Sequence, residues 1–147
     1  MRTAIAQRYA DATEETRRMV DRLLAQDADD RAWTAQLGPA YRQSDVALLL
    51  GKSKQAVSAD AGLLKLEMRN GSLGYPAFQF DGRQQQAGVC EVVTVLSSVV
   101  ATPWTIASWL TSRNAELDGI RPIDALRAGR IDEVVALTHR AARGLAA

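Results

Sequence analysis

The chain has 147 residues, of which 47% are apolar and 24% charged, and its formal net charge is +1. This balance is typical of a globular protein and excludes collagen-like, disordered and membrane-spanning classes. A single cysteine and a single histidine exclude an internal disulfide framework and leave too few ligands for a structural zinc site. Because no secretory apolar core is present in residues 1–8, we expect a cytoplasmic protein.

The N-terminal part of the chain predicts an amphipathic helix. Apolar side chains recur at three- and four-residue spacing through residues 3–26, with charged residues between them. Such an apolar stripe needs a partner, so we expect residues 1–41 to form a helical segment that takes part in oligomerisation. A shorter helix that carries Trp33 follows, and Gly38 and Pro39 end it.

Residues 43–61 contain two short helical patterns on either side of a glycine. A helix-turn-helix needs a small residue in its first helix, a residue that tolerates positive φ at the turn, and a branched apolar residue in its second helix. Ala47, Gly51 and Val57 meet those three needs in that order. The spacing therefore predicts a helix-turn-helix unit, and the alternative is a tight helical hairpin whose lysines are simply solvated.

The second of these helices predicts a surface that reads DNA. Its first turns carry lysine and glutamine, whose hydrogen-bonding groups match the base edges of guanine and adenine in the major groove. Ser53 is placed to cap the helix, and its backbone N–H and Lys52 are expected to contact phosphate. The candidate DNA-binding residues are Lys52, Ser53, Lys54, Gln55, Ser58 and Arg69.

A β-hairpin is predicted next. Apolar and charged residues alternate over residues 64–68, Asn70 and Gly71 supply the turn, and residues 75–80 form a second extended run. Because Pro76 cannot donate to a ladder, the second strand is expected at the edge of its sheet. A hairpin in this position resembles the wing of a winged-helix domain and places Arg69 near its tip.

The C-terminal half predicts further helices. The valine-rich residues 87–101 predict a buried helix, in which Cys90 is expected to be a small buried hydrophobe. Another helix is expected to begin with Thr102 as its cap and Pro103 at its first position. Residues 131–145 carry the apolar face of a last amphipathic helix.

A second series of residues in this half is recognisable. It consists of Pro103-Trp104, Ala107-Ser108-Trp109-Leu110, Asn114, Leu117-Asp118-Gly119, Arg121-Pro122-Ile123-Asp124, Leu126, Gly129 and Val134-Val135. This series resembles the C-terminal toxin-binding domain of the MbcA/ParS/Xre antitoxin family. The helix-turn-helix and the segment 75–80 look like the upstream region of the same family, so the resemblance covers about residues 42–145.

The resemblance implies one half of a type II toxin-antitoxin system. The antitoxins of such systems bind their own promoter, repress their operon and occlude the active site of a RES-type toxin. The toxin is an ADP-ribosyltransferase-like protein that consumes NAD or, in some relatives, modifies a protein target. The resemblance therefore implies an inhibitor and not an enzyme. No cofactor is expected in this chain, because NAD belongs to the partner. We expect a homodimer within a hetero-oligomeric toxin-antitoxin complex. Consistent with this expectation, we find no nucleophile-base set in the sequence.

Read from their chemistry alone, the residues of this half allow a partner surface. Pro122 stiffens the loop at Arg121, and a stiff loop loses little entropy on docking. Trp104 and Trp109 are five residues apart and cannot fully share one helix face, so one is expected to be partly exposed unless both belong to the core. The candidate toxin-binding residues are Trp104, Trp109, Arg121, Pro122, Arg127, Arg140, Arg143 and Ala147.

For the arginines two interpretations stay open. Arg121 and Arg127 either engage an acidic partner or form ion pairs with Asp118 and Asp124. The end of the last helix, from Arg140 to the small residues of the tail, is expected to lie closest to the partner's cleft.

The sequence thus predicts a mostly helical protein in three parts. These are an N-terminal segment (1–41), a helix-turn-helix with a small two-stranded wing (42–86) and a C-terminal helical toxin-binding domain (87–147). Two alternatives are a free-standing winged-helix transcriptional regulator, whose C-terminal domain only dimerises, and an interaction adaptor without DNA binding. The adaptor leaves the basic and amide residues of the second helix unexplained.

Overall fold

The structure, a computed structural model, describes residues 13–16, 18, 32 and 34–146. The chain divides into two compact units after Gln36. In the first unit, the described residues 14–16, 18, 32 and 34–36 are helical. Most of the predicted helix over 3–26, and Trp33 itself, lie outside the described residues.

From Leu37 onward the described residues form a mostly helical fold with small antiparallel sheets, as the sequence predicts. Short 3₁₀ turns at Ala77–Gln79 and Ala115–Leu117 interrupt the regular elements. The strands and helices are, in chain order, β1 (Ala40–Tyr41), α1 (Gln43–Leu50), α2 (Lys54–Ala59), β2 (Leu66–Glu67), β3 (Leu73–Pro76), β4 (Phe80–Asp81), β5 (Gln84–Gln85), α3 (Val89–Ser97), α4 (Pro103–Thr111), α5 (Pro122–Arg127) and α6 (Ile131–Ala146).

Helices α1 and α2 are joined by a tight turn at Gly51. Its backbone has φ 64° and ψ 36°, in the left-handed region that glycine enters without strain. The N–H of Lys52 donates to the Ala47 carbonyl at 3.0 Å and closes the end of α1. Ser53 then caps α2 by accepting from the Ala56 N–H at 3.1 Å. The predicted pair of helices around Gly51 is confirmed.

The two helices share a small core. Val46 and Ala47 of α1 form a buried cluster with Val57 of α2, and Leu63 and Tyr75 close it from the following segments. Burial of each branched side chain contributes about 1.5 to 3 kcal/mol, which exceeds what a six-residue helix gains from its own hydrogen bonds. Packing, and not helix propensity, therefore holds α2 in place.

The sheet differs from the predicted two-stranded wing. Strands β2 and β3 do pair as an antiparallel hairpin, with Leu66 opposite Gly74, but β1 pairs with the other side of β3 and places Ala40 opposite Pro76. The order β1-β3-β2 makes β3 the central strand, so the prediction of an edge strand is wrong. Pro76 is tolerated at the end of β3 because the side-chain amide of Gln79 donates to the Leu64 carbonyl, in place of the N–H that Pro76 lacks.

The second extended run is also shorter than predicted. Residues 77–79 form a 3₁₀ turn, and residues 80–85 after them form a second small hairpin, in which β4 pairs with β5. Gly82 has φ 60° between these two strands. Helix α3 ends at Ser97 and not near Ala101, and Cys90 in its first turn is exposed, contrary to the expected burial.

The C-terminal helices pack on one another through their apolar faces. Helix α3 contacts α4 and α6, and α5 contacts both α4 and α6. Thr102 caps α4 and Pro103 opens it, as predicted. The apolar face of α6 is buried as far as Ala142, whereas Leu145 is 56% exposed. Among the described helices, none has both the length and the apolar character that crossing a membrane requires.

Candidate nucleic-acid interface

Helix α2 presents one face to the core and the other to solvent. Val57 points inward and is fully buried, whereas Lys54, Gln55 and Ser58 are exposed. Lys52 and Ser53 in the preceding turn are exposed as well. Because residues three or four apart share a helix face, Lys54 and Ser58 lie one above the other, and Gln55 lies beside them.

A side chain that the sequence does not single out holds the start of α2. Gln43, the first residue of α1, donates through its amide nitrogen to the Lys54 carbonyl at 2.7 Å. The bond joins the first turns of the two helices on the solvent side, opposite to the packing of Val46 against Val57. It therefore fixes the end of α2 that carries the exposed lysine and glutamine.

The other end of α2 is tied to the β2–β3 hairpin. The ammonium group of Lys65, one residue before β2, donates to the Ser58 carbonyl. This contact places the base of the hairpin beside the last turn of α2. It escapes sequence analysis because Lys65 lies outside any helix and its reach depends on how the chain returns after α2.

The tip of the hairpin is a compact turn. The Met68 N–H donates to the Ser72 carbonyl at 2.7 Å, and the Asn70 side-chain oxygen accepts from the Ser72 N–H at 3.0 Å. Gly71 completes the turn with φ 85°. Arg69 is exposed in this turn, near the tip where the sequence predicts it.

The two tryptophans proposed for partner binding are both half-buried. Trp104, in the first turn of α4, donates its indole N–H to the Glu67 carbonyl at 3.3 Å. The structure thus places Trp104 against strand β2 of the hairpin. Trp109 lies one and a half turns further along the same helix.

Arg121 forms a two-pronged ion pair with Asp124. Its Nε and Nη2 atoms donate to the two carboxylate oxygens at 2.7 and 3.0 Å. This hydrogen bond lowers the pKa of Asp124 below its ordinary value and raises that of Arg121. Arg127 approaches the same carboxylate at 3.5 Å and donates to the Phe78 carbonyl at 2.9 Å.

The remaining partner-binding candidates lie elsewhere. Pro122 is buried at the start of α5, and Arg140 of α6 is 3.6 Å from Glu116. Arg143 is exposed in the last turn of α6, and Ala147 lies outside the described residues. Within the described part of the chain, no group of three or more His, Cys, Asp or Glu side chains is placed to hold a metal ion.

A groove of about 540 Å³ runs between the β2–β3 hairpin and the start of α4. Lys65, Glu67 and Arg69 line it from the hairpin side, and Pro103 and Trp104 line it from the helix side. A second groove, of about 500 Å³, lies between β1 and the same hairpin and is also lined by Arg69. The tip of the hairpin therefore borders two open grooves.

The comparisons with known proteins add a structural neighbour. No protein-family model matches the sequence, and no curated protein matches it. Among solved structures, the NMR structure of Rv2175c is similar, with a TM-score of 0.61 and 25% sequence identity. The similarity covers 71% of this chain and 81% of that chain. It supports the mostly helical fold with a small sheet.

Proposed function

We propose that this chain is a sequence-specific DNA-binding protein that regulates transcription, and that α1 and α2 form its helix-turn-helix. The observation that carries the proposal is the exposed face of α2. A short helix, capped at Ser53 and packed through Val57, projects Lys54, Gln55 and Ser58 away from the core. A recognition helix needs this division between a packed face and a projecting face.

The chemistry of the projecting side chains supports base reading. A glutamine amide pairs in two places with adenine, and a lysine ammonium donates to the acceptors of guanine. Lys52 and the backbone of Ser53 stand beside them for contact with phosphate, and Arg69 extends the basic surface to the hairpin. The β2–β3 hairpin takes the role of a wing because Lys65 holds its base against α2.

One such unit reads only a half-site, so we propose that two copies bind a two-fold symmetric operator. The N-terminal segment, with the apolar stripe in its sequence, is the part that we assign to self-association. Removal of residues 1–28 is expected to lower the mass measured by light scattering from that of a dimer to that of a monomer. A dimer that persists in the shortened chain would exclude this role.

The proposal is tested by selecting duplexes from a random pool with the full chain and then measuring affinity for the selected site. The double variant Lys54→Ala, Gln55→Ala is expected to lose about 1 to 3 kcal/mol for each base contact, which is about five-fold to one-hundred-fold in affinity for each. The variant Arg143→Ala removes one positive charge from α6 and serves as the control. Failure to enrich any sequence would contradict the proposal.

A second candidate function is neutralisation of a RES-type, NAD-consuming toxin, in which case the regulated operon is the chain's own. It is supported by the series of residues in 103–135 that resembles the MbcA/ParS/Xre antitoxins, and by the half-buried Trp109 on α4. In this function the chain is an inhibitor with no catalytic role.

The discriminating experiment is co-expression with a RES-type protein encoded beside this chain. An antitoxin restores growth and co-purifies with the toxin, and removal of residues 140–147 is expected to abolish rescue while DNA binding is retained. Of the described residues that are removed, Leu145 is more than half exposed and Ala142 is buried, so the truncation takes one small side chain from the core. A full chain that binds its operator but neither rescues growth nor co-purifies is a free-standing regulator.

A further inference from the structure

The proposed function uses Arg69 at the tip of the hairpin but not the rest of the groove between the hairpin and α4. Its two walls are held together, because the Trp104 indole on α4 donates to the Glu67 carbonyl of β2 at 3.3 Å. Trp104 is half-buried and lines the groove. This hydrogen bond limits how far the two walls can move apart, and a groove that is held in this way loses less entropy when a ligand binds.

The charges in the groove favour an anion. Lys65 and Arg69 bring two positive charges and Glu67 brings one negative charge, while Leu73 and Trp104 supply apolar surface. A phosphodiester has a single charge and is flanked by sugars, so it suits two cations beside an apolar wall. The carboxylate of Glu67 opposes such a ligand and weakens its binding.

The groove is also continuous with the face of α2. Lys65 lines the groove and, through its ammonium group, donates to the Ser58 carbonyl in the last turn of α2. Pockets for small molecules enclose most of their ligand, whereas this groove is open along the surface. An open groove beside a recognition helix suits a nucleic-acid strand that passes through the groove and continues beyond it.

We propose that this groove holds a backbone phosphate of the DNA that α2 binds, so that helix α4 forms part of the DNA interface. The inference rests on the proposed function and adds a site to it. Lys65 and Arg69 bind the phosphate, and Trp104 fixes the wall against which the adjacent sugar packs. The contact positions the protein on the duplex and reads no base.

The first test measures affinity for a mixed-sequence duplex of 24 base pairs as a function of salt. Glu67→Gln is expected to tighten binding about two- to five-fold at low salt, since it removes the opposing charge. Asp132→Asn makes the same change in net charge on α6, outside the groove, and is expected to have less than half of that effect. Lys65→Gln is expected to lower the slope of log affinity against log salt by about 0.9, the value for one phosphate contact.

The second test reports on the groove directly. The chain has three tryptophans, so the double variant Trp33→Phe, Trp109→Phe leaves Trp104 as the single tryptophan, whose fluorescence is excited selectively at long wavelength. Addition of the duplex is expected to reduce quenching of Trp104 by acrylamide at least two-fold. Neither Trp33 nor Trp109 is among the residues that line the groove. A circular dichroism spectrum checks that the double variant keeps the fold.

The outcomes separate the two proposals. A duplex that binds while Trp104 stays equally accessible overturns the groove site and leaves the role of α2 standing. Equal effects of Glu67→Gln and Asp132→Asn also overturn it, because the response is then to net charge alone. If the full chain binds neither the mixed-sequence duplex nor any selected site, the proposed function fails and the groove site fails with it.

Discussion

The side-chain amide of Gln79 pairs in both directions with the backbone of Leu64. Its nitrogen donates to the Leu64 carbonyl, and its oxygen accepts from the Leu64 N–H, each at 2.8 Å. Extending the register of Leu66 and Gly74 by two residues places Leu64 opposite Pro76, which has no N–H. Gln79 is fully buried and completes the ladder where proline interrupts it.

These two hydrogen bonds predict that replacing Gln79 by a residue of similar size strongly destabilises the fold. Gln79→Leu keeps a similar volume but leaves the buried N–H and carbonyl of Leu64 unpaired, and each unpaired group costs about 1 to 3 kcal/mol. We expect a loss of about 2 to 4 kcal/mol in the free energy of unfolding, measured by urea denaturation. Gln84→Leu, at an exposed position of β5, is the control, and a loss of similar size there would contradict the explanation.

Among the described residues, the hydroxyl group of Tyr75 is buried without a hydrogen-bond partner. Tyr75→Phe removes that group and keeps the ring, so the variant is expected to be as stable as the natural chain or up to about 2 kcal/mol more stable. A clear loss of stability in thermal unfolding at pH 7 would show that the hydroxyl has a partner in solution.

The same residue predicts a pH dependence. Burial raises the pKa of Tyr75 above its ordinary value of 10.0. The unfolded chain therefore releases this proton first, and the stability that depends on the neutral phenol is lost as the pH rises above 10. Tyr75→Phe is expected to retain more of its stability than the natural chain in that range, as measured by the unfolding midpoint from pH 8 to pH 11.

Asp124 predicts a pH dependence of the opposite sign. Its hydrogen bond with Arg121 lowers the pKa of the carboxyl group below 3.8, so the stabilisation is present above that pH and is lost as the pH falls through the folded value. The side chains of Arg121 and Asp124 are 35% and 42% exposed. Because water screens an exposed ion pair, we expect a coupling energy of about 0.5 to 1 kcal/mol. A double-mutant cycle with Arg121→Ala and Asp124→Asn should give that value at pH 7 and a smaller value as the pH falls through the folded pKa of Asp124.

Gly51 predicts a cost from backbone conformation alone. A methyl group added at this position meets no atom of the described residues within 4 Å, so Gly51→Ala is expected to destabilise the fold by about 1 to 2 kcal/mol through its positive φ. Gly51→Asn is expected to cost less, since asparagine enters this region more readily. Gly144→Ala, in helical backbone with equally open space, should instead be neutral or stabilising by up to about 1 kcal/mol.

Much of the local structure can be predicted from the sequence because its causes lie within a few residues. The caps at Ser53 and Thr102, the turn at Gly51 and the hairpin turn at Asn70 each depend on contacts over two to five positions. The exposed residues of α2 follow from the same local pattern, since a helix that packs through Val57 must project the opposite face.

Other features depend on contacts between distant segments, and only the tertiary structure decides them. Strand β1 pairs with β3 across more than thirty residues and converts the expected edge strand into a central one. Gln43, Lys65 and Trp104 acquire their roles from the backbone carbonyls of other segments. A carbonyl is present at every residue and leaves no mark in the sequence, so which one a side chain reaches is settled only when the helices and strands have packed.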